Sequence, residues 1–267
     1  RAGGEDTYNK DKAYFVSEDG DFTQYTITQK NSKKTFVEEN FNQVFGTGKL
    51  NQDDFQVSGG DQSKTYLFSY GRLRQDGMIR NSFYDRDNVR LNTKFKLSNK
   101  VTMSSKVGYT YSESNRIQRG SNVAGLMLGL LRNAPDFDMT HYKGTYVSSG
   151  TEYTNRHRAY RRYLGGSSTN PIYSNPLWTV NEHKNLTRVN RLMMSNEMNI
   201  TPFPGTEVVL RGGLDQFTDN RESFYPIGSA GSGINSGAFD MARITNRETN
   251  YGVIARQNVE LSSNISM

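Results

Sequence analysis

From Val89 to Leu97 apolar and polar positions alternate. Val89, Leu91, Thr93, Phe95 and Leu97 fall on one face of an extended segment, and Arg90, Asn92, Lys94 and Lys96 on the other. Ser98, Asn99 and Lys100 read as a tight turn. The next segment repeats the pattern, with Val101, Met103, Ser105, Val107, Tyr109 and Tyr111 on one face and Thr102, Ser104, Lys106, Gly108, Thr110 and Ser112 on the other. Side chains alternate across a strand, so this pair predicts a β-hairpin with one apolar and one polar face. In a soluble protein the apolar face covers a core. In a transmembrane barrel it faces lipid, and the polar face lines the lumen.

The same alternation recurs. It predicts strands over about Gln52 to Gly59 and over Thr65 to Arg74, the second with Tyr66, Phe68 and Tyr70 on one face. Val189 to Thr201 places Leu192, Met194, Met198 and Ile200 opposite Arg191, Ser195, Glu197 and Asn199, with Asn196 interrupting the apolar side. Thr206 to Thr218 aligns Val208, Leu210, Gly212 and Leu214, and Glu248 to Leu261 aligns Tyr251, Val253, Ala255, Val259 and Leu261, with Gln257 an exception. Gly59 to Lys64, Pro202 to Gly205 and Ser262 to Asn264 are short turns. Between them lie a medium loop at 75–85, a very long connection at 115–188 and a long one at 219–247. The second of these far exceeds the roughly 12–15 residues beyond which a structureless loop is unusual, so it should carry structure or function.

Short and long connections therefore alternate, as in outer-membrane barrels with short periplasmic turns and long extracellular loops. The strands match the roughly 9–11 residues needed to cross hydrocarbon at a tilt. The expected fold is all-β: an antiparallel transmembrane β-barrel segment of about seven strands with long extracellular loops. Residues 1–51 read as an extracellular loop or entry region and 52–267 as a partial barrel.

Composition narrows the picture. The chain has 267 residues, of which 34% are hydrophobic and 12% aromatic, and no apolar run reaches the roughly 20 residues of a membrane helix. A net charge of +6 would suit a nucleic-acid binder, but the cations are scattered among 27 acidic residues without a basic stripe. Nucleic acid is therefore not an expected partner. With no cysteine, disulfides and thiolate chemistry are excluded. Arg1 to Asp6 carries no apolar signal region, and the chain ends at Met267 as a strand restarts, so an internal piece of a longer protein is expected.

Candidate chemistry is sparse. His141, His157 and His183 lack metal-ligand spacing and read as solvated loop residues, and Glu18 to Asp21 lacks the frame of a calcium loop. No nucleophile–base–orienter set can be assembled, so no enzyme and no cofactor are expected. Val123 to Leu131 is the most apolar stretch, with Asn122 as a possible helix cap and Pro135 as its stop. It reads as a small cluster inside the long loop, or as a surface packed at the barrel mouth or against a partner. The same loop carries Tyr142, Tyr146, Tyr153, Arg158, Tyr160, Arg161 and Trp178. Rings and planar donors of this kind suit sugar faces or peptide groups, and equally suit loop packing.

Several stretches carry a family resemblance: FQVSGG at Phe55 to Gly60, YLFSYG at Tyr66 to Gly71, QDGMI at Gln75 to Ile79 and DNVRLN at Asp87 to Asn92. They continue with GLMLGLLR at Gly125 to Arg132, NPLW at Asn175 to Trp178 and RVNR at Arg188 to Arg191. In order and spacing, Phe41 to Asp219 resembles the early barrel of the SusC/RagA branch of TonB-dependent outer-membrane transporters of Bacteroidetes. The resemblance implies a 22-stranded barrel. It also implies a SusD-like surface lipoprotein as lid, import of oligosaccharides or peptides, and TonB coupling through an N-terminal part that lies outside these residues. The remaining strands would come from the rest of the barrel chain, in a bacterial outer membrane.

On this reading Val89, Leu91, Phe95, Met103, Val107, Tyr109, Leu192, Met194, Val208 and Leu210 face lipid. Arg90, Lys94, Lys96, Lys106, Arg191, Glu197, Arg211, Arg256 and Glu260 line the lumen. The rival reading is a soluble or cell-surface all-β adhesin or carbohydrate-binding module. Two sheets packed over a dry core would favour it, whereas a single open sheet with unpaired edges favours the barrel.

Overall fold

The computed structural model describes residues 36–117, 125–132, 139–148, 150–157, 173–229, 236–258, 260–262 and 265–266. Seven long strands form one antiparallel sheet: β1 (Lys49–Gly60), β2 (Lys64–Asp76), β3 (Phe83–Ser98), β4 (Val101–Asn115), then β7 (Lys184–Ile200), β8 (Thr206–Tyr225) and β9 (Ala238–Gln257). Each pairs with its neighbour in that order, so β1 and β9 are the edges and pair with nothing further among the described strands. The connection between β4 and β7 carries α2 (Leu126–Arg132), the small hairpin β5 (Lys143–Ser148) and β6 (Thr151–His157), and α3 (Pro176–Glu182). A short α1 (Glu39–Asn42) precedes the sheet, and β10 (Glu260–Ser262) pairs with β11 (Ile265–Ser266) after it.

The turn residues explain the hairpins. The turn after β7 needs a positive φ at Gly205 (+76°), which glycine adopts without steric cost, after Pro202 and Pro204 have ended the ladder. Asp61 closes the turn after β1 by accepting the Ser63 and Lys64 backbone N–H groups.

Register decides the faces. Val89 pairs with Tyr109, which pairs with Leu192; Leu91 follows with Val107, Met194 and Leu214; Phe95 with Met103, Met198, Leu210 and Val253. Phe55 and Val57 on β1 join this face through Tyr70 and Phe68. All ten residues expected on an apolar face do share one. The break at Asn196 also has a place, in a row of Thr93, Ser105, Asn196 and Gly212. The row ends against Tyr251, whose ring lies 3.7 Å from where a Gly212 Cβ would be.

Nothing described covers this face. Phe55 is 58% exposed, Phe95 43% and Val253 74%, and Val209 is the one described buried hydrophobic residue within the seven strands. The packed core sits instead at the end of the sheet carrying the long connections. There Val44, Ile117, Leu126, Met139, Leu177 and Val180 cluster, with Phe45, Ile79, Leu130, Tyr142 and Tyr173 against them. Asparagines hold it: Asn115 donates to the Asn81 carbonyl (2.7 Å) and accepts from the Asn185 N–H (3.0 Å), and Asn81 donates to the Val180 carbonyl (3.1 Å). Asn40 and Asn175 bind the Met139 N–H and carbonyl.

Several boundaries differ from the pattern-based expectation, among them the 75–85 loop, which narrows to 77–82. The first strand begins at Lys49, inside the 1–51 segment, and residues 1–35 lie outside the described ones. The 115–188 connection narrows to 116–183. The expected loop at 219–247 is mostly strand: β8 runs to Tyr225 and β9 starts at Ala238, leaving 226–237. Residues 219–225 and 238–247 carry charged or polar side chains on both faces, interrupted by Phe224, Phe239, Met241 and Ile244, so no sustained alternation reveals them, yet backbone pairing continues from Asp219–Ile244 to Tyr225–Ala238. The last long strand stops at Gln257 rather than Leu261, and the turn expected at 262–264 falls partly outside the described residues.

Asn115 is 8% exposed and serves two backbone groups. Asn115→Ala should cost about 1–3 kcal/mol, since it removes two part-buried hydrogen bonds worth about 0.5–1.5 each. Limited proteolysis at 77–82 should be faster in the variant; an unchanged cleavage rate would remove the clamp from this account.

Candidate functional site

The polar face is built in rows across the strands. Arg90, Gly108, Met193, Asp215 and Glu248 form one row. Asn92, Lys106, Ser195, Gly213 and Asn250 form the next, followed by Lys94, Ser104, Glu197, Arg211 and Gly252. Arg90, Lys94, Lys96, Lys106, Arg191, Glu197, Arg211 and Arg256 therefore share this face, as the alternation predicts. Glu260 does not: it lies on β10, off the seven-stranded sheet.

The charges are unequally matched. On β7 to β9 every arginine of the set has a carboxylate: Arg191 with Asp215 at 2.5 Å, Arg211 with Glu197 at 2.7 Å and Arg256 with Glu207 at 3.3 Å. On β3 and β4, Arg90, Lys94, Lys96 and Lys106 make no ion pair among the described residues.

The apolar face ends sharply towards the long connections. Tyr70 donates its hydroxyl to Asp87 (2.8 Å) and Tyr109 donates to Asn190 (2.6 Å). Immediately beyond, the same face carries Arg74 bound to Asp87 at 2.7 Å, and Arg188 bridging Glu113 at 2.8 Å and Glu222 at 3.0 Å. A ring with an apolar body and a hydroxyl turned to charge suits the boundary between an apolar and an aqueous phase. This charged collar was not read from the sequence; Asp85, Asp87, Arg188 and Glu222, alternating beyond the apolar runs, were its signal.

The aromatic set of the long connection is only partly brought together. Trp178 is 2% exposed, wedged edge-on to Tyr142 and His157 at 6.5 and 5.3 Å between ring centres. Its indole N–H donates to the Ser229 hydroxyl at 3.0 Å, tying α3 to the β8–β9 connection. It is thus an interior anchor rather than an open platform. Tyr142 donates to Glu182 (3.1 Å), and burial with the Glu182 charge pushes its phenol up to about 12. Tyr146 and Tyr153 are backbone partners in the β5–β6 ladder. Arg158, Tyr160 and Arg161 lie outside the described residues, as does Glu18 to Asp21. α2 buries Leu126 and exposes Leu131 (77%), Met127 (45%) and Leu128 (37%), so it joins the core on one side and offers an apolar surface on the other.

The histidines correct the expectation that they are solvated. His141 is exposed, but His157 and His183 are buried. His157 Nε2 accepts the Asn175 N–H at 2.6 Å, and His183 Nε2 lies 3.1 Å from the Ser229 hydroxyl. Burial pushes His157 down to about 3, helped by His183, and pushes His183 down to about 4 against the pull of Glu182. Nothing in the spacing of these residues announces their burial. Among the described residues no group of three His, Asp or Glu could hold a metal ion, and no helix is long and apolar enough to cross a membrane.

No protein-family model and no curated protein matches the chain. Solved structures do. Chains of the RagAB peptide importer in its "closed-closed" and "open-open" states superpose with TM-scores of 0.63 and 16% identity over 88% and 86% of this chain. One of the RagAB peptide transporter gives 0.62 at the same 16% over 84%. This chain has the fold of a part of those chains. It spans 24% of the length of each, so what the whole importer does belongs to a larger molecule.

Both buried histidines are neutral at pH 7. Unfolded, each would titrate near its ordinary value of about 6.5. Stability is therefore full above that pH and falls as the pH drops towards 4, because the open state takes up protons the closed one refuses. Trp178, the chain's single tryptophan, reports it. Its emission should shift to the red between about pH 6.5 and 4. Replacing both histidines with glutamine should abolish that shift; a shift of the same size would assign it to other groups.

Proposed function

We propose that this chain is a section of the barrel wall of an outer-membrane importer, its apolar face against lipid and its polar face lining the lumen. The observation that carries this is the uncovered apolar belt ended by tyrosines and a charged collar. From Leu192 to Ile200 the belt rises roughly 27 Å along the strand at ~3.4 Å per residue, or roughly 20 Å along the normal at a ~40° tilt, near the ~25 Å apolar band of such barrels. Phe203, 70% exposed in the turn, extends it. A soluble adhesin or carbohydrate-binding module would have to leave this whole face wet, far beyond the few hundred Å² that monomers expose. Beyond the belt, β8 and β9 continue as a paired ribbon of mostly polar and charged residues, as extracellular extensions of strands do.

The likeness to RagAB supports import of oligopeptides, with oligosaccharides as the other solute class such barrels take. It also supports a SusD-like lipoprotein as partner, for which the exposed side of α2 is a suitable contact. TonB would drive the step through parts of the transporter beyond these residues. The two edge strands require further strands, since an unpaired edge in hydrocarbon costs several kcal/mol per group.

In the complete barrel, Phe95→Arg should cost about 2–4 kcal/mol if its row lies near the midplane, while Lys94→Arg should be nearly neutral. Equal tolerance in a lipid folding assay would sink the face assignment. With Cys placed at Thr151 or Asn99, a membrane-impermeant thiol reagent on whole cells should label Thr151→Cys only. The opposite result reverses the topology.

A further inference from the structure

On the outer face the belt does not end in the same way on every strand. From β2 to β7 its last row is Tyr70, Val89, Tyr109 and Leu192. Register continues that row to Gln216 on β8 and Arg247 on β9. Four residues along β9, Arg243 stands beside Asn220 in the row of Glu113 and Arg188, with Thr218 and Thr245 paired in between. Arg243 and Arg247 are exposed, and their guanidinium groups make no hydrogen bond or ion pair among the described residues. Elsewhere in the collar the cations are met: Arg74 by Asp87, and Arg188 by Glu113 and Glu222. The acids nearest in the chain, Asp240 and Glu248, fall on the polar face, and Glu222, one row from Arg243, is the acid that Arg188 already holds.

Polarity changes in order down this strip. Outward positions on β9 pass from Arg243 and Arg247 through Thr249 to Tyr251 and Val253, the last two 85% and 74% exposed. Beside them β8 passes from Asn220 and Gln216 to Leu214 and Leu210. Cations, then hydroxyls and amides, then a ring and aliphatic side chains follow the sequence of a charged headgroup, its ester linkages and its acyl chains. The two arginines lie roughly 14 Å apart along the strand at ~3.4 Å per residue, so two long side chains can meet over the Thr245 hydroxyl. An arginine at such a boundary lays its stem along the apolar surface and keeps its charged end in the headgroup layer.

We propose that this strip of β8 and β9 holds a membrane lipid with a phosphorylated headgroup, its phosphate between Arg243 and Arg247 and its acyl chains over Leu214, Tyr251 and Val253. A guanidinium donates two parallel hydrogen bonds to phosphate, and phosphate oxygens left over can accept from the threonine hydroxyls. A zwitterionic headgroup fits less well, because no free carboxylate faces outward here to meet its cation. On β2 and β4 the boundary is instead made by Tyr70 and Tyr109, whose hydroxyls are occupied by Asp87 and Asn190 and select no headgroup charge. The proposal rests on the importer reading, because the belt must meet lipid.

The test uses the complete barrel, in which a further strand flanks Arg243 and Arg247, in phosphatidylcholine nanodiscs. These carry a trace of phosphatidate or phosphatidylcholine with a photoactivatable group in one acyl chain, and cross-linked peptides are read by mass spectrometry. Phosphatidate should label the strip around Leu214, Tyr251 and Val253 in preference to phosphatidylcholine, and the preference should weaken at higher salt. Arg243→Gln with Arg247→Gln should lower that labelling about tenfold, since each cation near an anionic surface is worth about fivefold. Arg243→Lys with Arg247→Lys should keep most of it, and Arg74→Gln, whose charge Asp87 already meets, should change it less than about twofold. Equal labelling of the strip by both lipids, or glutamine variants labelled like the parent, overturns the proposal. The belt from Leu192 to Ile200 separates this from failure of the importer reading. If both lipids label it but the strip shows no headgroup preference, only the lipid site is wrong. If neither labels it, the belt does not meet lipid and both readings fall.

Discussion

Cross-strand register is the constraint on which the rest of the sheet depends. Side-chain direction has a period of two, so a slip of one residue between β4 and β7 would carry Leu192, Met194 and Met198 to the polar face and Arg191 and Glu197 to the apolar one. The strand pairs keep one register through the apolar rows except at Leu97, where the β3–β4 pairing shifts between Lys96 and Ser98. The belt is therefore a property of the whole sheet, although each strand contributes only about two to five residues to it. Its small-residue row is tolerated because Tyr251 spreads over Gly212 and Tyr66 lies against Gly59.

Charge follows the same rows. Direct and diagonal neighbours on β7 to β9 bring arginine to carboxylate within about one strand spacing, and such exposed pairs contribute little stability each, roughly 0–1 kcal/mol. Their larger effect is on the field over the polar face. With Arg191, Arg211 and Arg256 silenced, the remaining positive potential concentrates on β3 and β4. On the opposite face, Arg188 between Glu113 and Glu222 marks where the apolar belt gives way to water.

The end with the long connections is organised differently. It has a dry core, and its backbone groups are met by asparagine side chains from four separate segments rather than by a ladder. Trp178 and His183 converge on the Ser229 hydroxyl, which ties the helix before β7 to the connection after β8. Keeping His157 and His183 neutral makes that junction sensitive to acid.

The alternation of side chains by itself determined the strands that cross the belt, their order of faces and the shared face of eight wall charges, because a period of two is written in residues a few positions apart. The uneven lengths of the connections were legible for the same reason. What only the tertiary structure decided lies where neighbours come from far along the chain. The ribbon of 219–225 with 238–247 shows no sustained alternation, since charged and polar side chains lie on both its faces, and its continuous backbone pairing is what defines it. Trp178, expected among ligand-contact residues, is buried because α3 is pinned between His157 and Ser229, which are distant in sequence. The outward strip from Arg243 to Val253 exists only because Asn220, Gln216 and Leu214, each unremarkable alone, fall beside it when β8 and β9 take their register.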